Sequence, residues 1–326
     1  MEVRRLIRLL LASLAGIATI GTLALAETPS GMGAAAYARR GIDARPAGMG
    51  GAFVAVAEGG PAAYYNPAGL AGVPQLNVSG MYTQPFGPDL GISFQYLGVS
   101  GPLGTQSPSL LAGLGVALTW LGLQVSGIPI SDDEGSGGTF SSDSSLYLVS
   151  AGYPLPVPMD ASVGMSLKYY QERILEGRAD GIGLDLGVLL AFSLGDITVR
   201  AGVNAMDIGR TKLSWHGTIG EPENFVPWVN KIGLSAGLFN GMLLIACDLD
   251  WAVDRTAREQ NVHVGLEFQP TEALLLRGGW SSDFEGTMAL SGGVGIRFLN
   301  FITVDYAYSL AKSLGGAHLV SAEFHF

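Results

Sequence analysis

The chain has one cysteine, Cys247, and four histidines among its 326 residues. A single thiol excludes an internal disulfide framework and any multi-cysteine zinc site. His216, His263, His318 and His325 have no metal-ligand spacing such as His-Glu-x-x-His. Charge is scarce too: Asp, Glu, Lys and Arg make up 14% of the sequence, against about 25% in ordinary soluble domains. A chain that is 48% hydrophobic and so poor in charge is not intrinsically disordered. It also lacks the Lys- and Glu-rich surface of a cytosolic enzyme. Acidic residues outnumber basic ones 28 to 18, so the positive footprint of a nucleic-acid-binding protein is missing. Glycine, in contrast, is plentiful at 48 residues, about twice the usual share.

The N-terminus reads as a targeting segment. Arg4, Arg5 and Arg8 form a basic region, residues 9–25 are uncharged and apolar, and Ala24-Leu25-Ala26 is a small-x-small pattern before Glu27. That order is the pattern of a secretory signal peptide, expected here over 1–26.

Beyond it, alternation with period two recurs, the mark of a strand with two unlike faces. From Ser162, the residues Val163, Met165, Leu167 and Tyr169 share one face, and Ser162, Gly164, Ser166 and Lys168 the other. Val262, Val264, Leu266 and Phe268 alternate with His263, Gly265, Glu267 and Gln269. Ile302, Val304, Tyr306 and Tyr308 alternate with Thr303, Asp305 and Ala307. A soluble sandwich and a membrane barrel share this pattern. The barrel is favoured by strands of about the 9–11 residues that cross a tilted bilayer path. It is also favoured by polar faces rich in Gly and Ser with isolated charges, and by a terminal aromatic, Phe326, on an apolar face. Strands are expected at 75–83, 90–101, 109–126, 140–153, 160–171, 180–194, 196–207, 226–239, 242–252, 260–269, 272–281, 287–299, 301–310 and 316–326. This is an even set of about fourteen, as bacterial barrels require.

The links alternate in length, except that 101–108 and 154–158 are longer than the short-turn rim calls for. Gly195-Asp196, Asn240-Gly241, Pro270-Thr271 and Asn300 mark short turns, while 131–139, 172–178, 208–225 and 253–259 are longer and more polar. Short turns on one rim and long loops on the other are the barrel pattern. The uncharged run 90–131 raises a spanning helix as a rival, but Gly113, Gly115, Gly122 and Gly127 weaken a helix and the alternation persists through it.

Reaction chemistry is sparse. Gly181-x-Gly183 and Gly293-x-Gly295 sit in strands with no helix following, which excludes a dinucleotide loop. Asp132-Asp133-Glu134 reads as a solvated loop, and no Ser-His-acid set assembles. No enzyme, metal or cofactor is expected. The best polar constellation is the set of charges on the polar strand faces: Lys168, Asp185, Arg200, Asp248, Asp250, Glu267, Arg277, Arg297, Asp305 and Glu323. These are expected to line the lumen and to pair across strands, Arg297 with Asp305 among them. Trp228, Trp251, Trp280, Tyr169, Tyr306 and Tyr308 are candidates for aromatic girdles.

Residues 27–74 do not alternate. They are small and Gly/Ala-rich, yet hold Tyr37, Phe53, Tyr64 and Tyr65, which favour burial. Asn66 before Pro67 reads as a cap with Pro in the first position of a turn. The stretch Ala44-Arg45-Pro46-Ala47-Gly48-Met49-Gly50-Gly51-Ala52-Phe53-Val54-Ala55-Val56-Ala57, followed by Ala62-Ala63-Tyr64-Tyr65-Asn66-Pro67-Ala68-Gly69-Leu70-Ala71, resembles the N-terminal signature of PorV/PorQ-type outer-membrane proteins. Its Asn66-Pro67-Ala68 core also resembles the hatch motif of FadL-type fatty-acid transporters, and 315–321 resembles the last PorV/PorQ strand more weakly.

The resemblance implies an all-β, transmembrane antiparallel barrel of about fourteen strands. Its expected organisation is a signal peptide at 1–26, a plug at 27–74 and a barrel wall at 75–326, in the outer membrane of a diderm bacterium. Gly48, Met49, Gly50, Gly51, Asn66, Pro67, Ala68 and Gly69 are the implied plug motif. Two functions remain open. FadL-type relatives imply passive uptake of a fatty-acid-like hydrophobic ligand, and PorV-type relatives imply a partner in a secretion or surface-attachment apparatus. The expected partners are outer-membrane lipid and either that ligand or a secretion-system or surface protein.

Overall fold

The computed structural model describes residues 34–85, 90–103, 111–129, 138–218, 220, 222–253, 260–283, 288–299, 301–311 and 315–326. The expected signal peptide at 1–26 and the acidic loop Asp132-Asp133-Glu134 lie outside these residues.

The alternating segments become strands β1 (Asn77–Thr83), β2 (Ile92–Pro102), β3 (Gly115–Pro129), β4 (Thr139–Pro154), β5 (Asp160–Ile174), β6 (Gly177–Leu194) and β7 (Ile197–Met206). A short hairpin follows, β8 (Thr211–His216) and β9 (Glu223–Val226). The wall resumes with β10 (Val229–Leu238), β11 (Leu243–Ala252), β12 (Gln260–Thr271), β13 (Leu274–Asp283), β14 (Met288–Phe298), β15 (Ile302–Ala311) and β16 (Gly315–His325). Each wall strand pairs antiparallel with its chain neighbours, β7 with β10 across the hairpin. β1 then pairs with β16, from Asn77↔His325 to Thr83↔Leu319. The result is a closed barrel of fourteen strands, with β8–β9 as an extension on the long-link end of β6. Closure leaves no wall edge unpaired. The run 90–131 contains β2 and β3 instead of a helix.

The link 208–225, expected as a long polar connection between wall strands, contains this hairpin. His216, Trp215 and Ser214 of β8 pair with Arg178, Ala179 and Asp180 of β6. Leu213 of β8 and Val226 of β9 are buried.

Polarity is inverted relative to a water-soluble protein. On β5, Met165, Leu167 and Tyr169 are 50%, 50% and 41% exposed, while Ser166 and Lys168 are buried. Val264, Leu266 and Phe268 on β12 are exposed and Glu267 is buried. Tyr306, Tyr308, Val320 and Phe324 repeat the arrangement on β15 and β16. An apolar exterior around a polar interior suits hydrocarbon outside. Val264→Arg is therefore expected to destabilise the barrel by about 2–4 kcal/mol if it lies near the bilayer midplane. Urea unfolding in lipid, followed by gel mobility, checks this.

The segment 34–74 lies inside the ring. It comprises a 3-10 turn (Ala36–Arg39), α1 (Ala44–Gly48), α2 (Ala62–Tyr65) and a second 3-10 turn (Pro67–Leu70). Its tyrosines fold it on itself. Tyr64 donates to the Ala38 carbonyl (2.8 Å) and Tyr65 to that of Ile42 (3.0 Å). Phe53 and Tyr65 meet edge to face at 5.1 Å.

Candidate functional site in the barrel lumen

The inner wall has a slot for this segment, built by absent side chains. Gly115, Gly152, Gly164 and Gly187 stand in one register row across β3 to β6. A Cβ on any of them would come closer than 3.0 Å to the backbone or side chain of residues 66–71. Gly202 and Gly233 are paired on β7 and β10 and receive Val54 and Ala55. Gly265 and Gly279 are paired on β12 and β13 and receive Met49 and Gly50. Close backbone approach is what glycine in a strand permits. Gly265, on the polar face of its strand, has no room for a side chain: a Cβ there would lie 2.6 Å from the Met49 carbonyl oxygen.

The eight motif residues lie along this slot. Gly48 faces Arg277 and Gly293, and its carbonyl accepts from Ser291 (3.3 Å). Met49 is fully buried, and the Gly50 carbonyl is 2.7 Å from His263 Nδ1. Gly50 and Gly51 have φ of 66° and 86°, a left-handed turn that disfavours other residues. Asn66 Nδ2 donates to the carbonyls of Val54 within the segment and Val188 on the wall, both at 3.1 Å. Asn66 Oδ1 accepts from the Ala68 amide (3.2 Å), capping the turn that begins at Pro67. The Ala68 carbonyl accepts from Ser162 (3.0 Å), and a Cβ on Gly69 would strike the Ala57 carbonyl. Asn66→Ala would leave two buried backbone groups and the part-buried Val188 carbonyl without these partners, an expected loss of about 1–3 kcal/mol. Limited proteolysis of the folded barrel should show faster cleavage of the segment, with wall content unchanged by circular dichroism.

The lumen charges form separate clusters. Glu267 and Arg277 belong to a chain that starts on the segment. Arg45 Nε is 2.8 Å from Glu267 Oε2, and Arg277 Nε 2.7 Å from the same oxygen. Arg277 Nη1 continues to Asp305 Oδ1 at 2.5 Å. The expected pair of Arg297 with Asp305 is not formed. Thr303 stands opposite Arg297, and Gly295 opposite Asp305. The missing side chain at Gly295 lets Arg277 reach Asp305 from β13.

Asp248 accepts from the amides of Phe53 (2.6 Å) and Val54 (2.8 Å). Asp250 pairs with Lys231 (2.5 Å) and lies 3.4 Å from His263 Nε2. Lys168 pairs with Asp185 (2.8 Å) and Asp207 (2.9 Å), Asp185 accepts from the Asp207 amide (2.8 Å), and the Asp207 carboxylate also accepts from Tyr170 and Thr211 at the foot of the β8–β9 hairpin. Glu323 accepts weakly from Gly60 N (3.3 Å), and half-exposed Arg200 lies 3.9 Å from Glu58.

Arg45, Glu58, Asp207 and Lys231 were not among the expected charges. Lys231 had a signal, since it shares the alternating face of Gly233 and Ser235; Arg45 and Glu58 lie outside the expected strands, and Asp207 ends the strand expected at 196–207 in step with its apolar face.

Asp43 caps α1, accepting from Arg45 N (2.9 Å) and Ser321 Oγ (3.1 Å). Burial, with Asp305 and Glu323 nearby, pushes its carboxyl from 3.8 up to about 7. A carboxyl raised on folding contributes stability that is complete below its unfolded value and is lost as pH rises through the folded one. The seating of the segment should therefore weaken between about pH 4 and 7. Protease sensitivity of the segment across that window checks it, and Asp43→Asn should flatten the profile.

Two cavities flank the segment. One of about 450 Å³ lies toward the short turns and is lined by Arg45, Glu58, Arg200, Arg297, Asp305 and Glu323 among others. One of about 220 Å³ lies toward the long links, with Tyr65, Lys231, Asp250 and His263. Among the described residues, no group of three or more His, Cys, Asp or Glu is placed to hold a metal ion.

A closed fourteen-strand antiparallel barrel with a polar interior defines the class. No family model matches the chain, and no curated protein matches it. Solved structures do. The chain is similar to the Ralstonia pickettii toluene transporter TbuX, with 17% identity and a TM-score of 0.52 over 88% of this chain and 98% of that one. It is similar to the monoaromatic hydrocarbon channel CymD, with 15% identity and a TM-score of 0.58 over 88% and 98%. It is also similar to the Pseudomonas putida toluene transporter TodX, with 13% identity and a TM-score of 0.58 over 87% and 98%. At these identities the likeness is one of fold. These FadL-type neighbours agree with that half of the resemblance; the PorV/PorQ half gains no support from them.

Proposed function

We propose that this chain is an outer-membrane barrel that passes hydrophobic small molecules, with residues 34–74 acting as a plug. The observation that supports it best is the combination of an apolar exterior with a lumen crossed by a close-fitting segment. A wide water-filled channel has no use for such a segment, whereas selective passage of molecules scarce in water needs one. Similarity to hydrocarbon transporters and channels supports the same reading. The mechanism is passive: a ligand enters on the long-link side, and local movement of the plug lets it pass. No covalent chemistry is required. The lumen charges, in this reading, brace the wall and hold the plug.

Proteoliposomes test it. Permeation of a toluene-class probe should exceed that of empty liposomes, while glucose permeation should not. Equal hydrocarbon rates with and without the protein would overturn the reading. Co-purification of a secretion or surface protein in that case would favour the partner role.

A further inference from the structure

The outward face of β3 to β6 changes character along its height. Leu118, Val149 and Leu167 stand side by side in one row of the register, and all are exposed. The next outward row, toward the long links, is aromatic: Trp120, Tyr147 and Tyr169, with the two tyrosines stacked at 6.3 Å between centroids. Such a row marks the edge of the hydrocarbon layer. Two outward rows further on, Asp143, Arg173 and Arg178 stand opposite one another on β4, β5 and β6, and His216 of the hairpin continues the row. Arg173 is four residues beyond Tyr169, about 13 Å along the strand and about 10 Å in height at the usual barrel tilt. A guanidinium there can bend back into the headgroup layer.

Arg173 and Arg178 are exposed and directly opposite each other, and like charges so placed repel. Among the described residues, they are the sole Lys or Arg side chains on the outward face of the wall strands; Lys168, Arg200, Lys231, Arg277 and Arg297 point inward. Neither guanidinium has an ion pair among the described residues. The neighbouring acids are engaged elsewhere or stand apart: Asp180 lies 3.8 Å from His216, Glu223 pairs with Lys212, and Asp143 forms no ion pair with Arg173. The barrel thus gathers its outward wall cations at one spot, at an energetic cost that its own side chains do not offset.

We propose that the Arg173–Arg178 pair binds a phosphate on the headgroup of an outer-leaflet lipid, whose acyl chains lie against the aromatic and apolar rows beneath. The proposal rests on the outer-membrane part of the reading above, not on transport. A phosphate between the two guanidinium groups turns a repulsive pair into two sets of charge-assisted hydrogen bonds. The planar fork of arginine suits that bidentate geometry. The acids nearby limit the site to one phosphate and keep it from being a broad basic surface. A lipid held there fastens the tall β3–β6 side of the barrel into the outer leaflet.

Native mass spectrometry of the full-length barrel in detergent, titrated with diphosphoryl lipid A, tests the site. The first lipid should bind the double variant Arg173→Gln/Arg178→Gln about tenfold more weakly than the unsubstituted barrel. Fully dephosphorylated lipid A should not distinguish the two proteins. Equal binding of the diphosphoryl form, or a difference that survives dephosphorylation, would overturn the proposal. Millimolar inorganic phosphate should leave the lipid in place; displacement would mean a site for free anions and overturn the lipid assignment. Lys212→Gln removes a cation on the neighbouring hairpin and should bind like the unsubstituted barrel, whereas a matching loss would mean diffuse attraction and also overturn the proposal. Both arginines are exposed, so folded gel mobility should persist; if the double variant does not fold, Arg178→Gln alone supplies the comparison. A barrel that inserts into no bilayer would sink the outer-membrane reading itself, while insertion with equal lipid A binding sinks this proposal alone.

Discussion

Replacing Gly279 by leucine is expected to convert a closed barrel into one that conducts ions. Gly279 faces inward, and a Cβ there would overlap the Gly50 amide. Strand pairing with Gly265 and Ser291 depends on backbone alone, so the wall should assemble normally. The overlap must be relieved by lifting the plug. Overpacking of this kind costs roughly 1–3 kcal/mol, or about a tenfold to hundredfold rise in the unseated population. Planar-bilayer recordings should show frequent openings that the unsubstituted protein lacks. The neighbouring residue supplies the control. Gly278 faces outward with nothing within 4 Å of its added Cβ, so Gly278→Leu should leave the conductance closed. Identical recordings from both variants would mean that the glycine slot does not hold the plug.

Arg277→Met should be the most destabilising single substitution in the lumen. The Arg277 side chain is 1% exposed and lies between Glu267 and Asp305, at 9% and 7%. Its removal leaves two buried carboxylates, Glu267 with Arg45 as its remaining ion-pair partner among the described residues and Asp305 with none there. Breaking a buried ion pair by deleting one partner costs about 3–5 kcal/mol. Arg200→Met offers the contrast. That side chain is 41% exposed and 3.9 Å from its partner, so a change within about 1 kcal/mol is expected. Urea midpoints of the two variants in lipid should separate clearly, and a mild effect of Arg277→Met would show that water or Arg45 compensates.

The wall was legible in the sequence because its physics is local. Period-two alternation around residues such as Met165, Leu167 and Tyr169 needs no knowledge of neighbours, and thirteen wall strands lie within three residues of their expected bounds; β3, expected from 109, begins at Gly115 because 111–114 form a turn. The β8–β9 hairpin was not legible. Its strands are six and four residues long and are separated by Gly217, Gly220 and Pro222, too short and interrupted for alternation to register. The charges on strand faces were readable, but their partners were not. Register decides pairing, and Arg277 reaches Asp305 only because Gly295 lies between them. The glycine slot was visible only as an excess of glycine, since nothing in one strand announces that Gly152, Gly164 and Gly187 will stand side by side.

The plug enters β1 through a leash of a few residues, 71–76, and β1 is locked into the ring by its pairing with β16. A displaced plug is thus never released. It remains within a short tether's reach of its slot, at an effective concentration in the millimolar range or above. Reclosure is first-order and independent of how many barrels the membrane holds. In the transport reading proposed above, the open fraction would be set by a contest between this built-in competitor and the local concentration of guest. A molecule that partitions strongly into membranes meets that threshold at a low aqueous level, while one that stays in water does not.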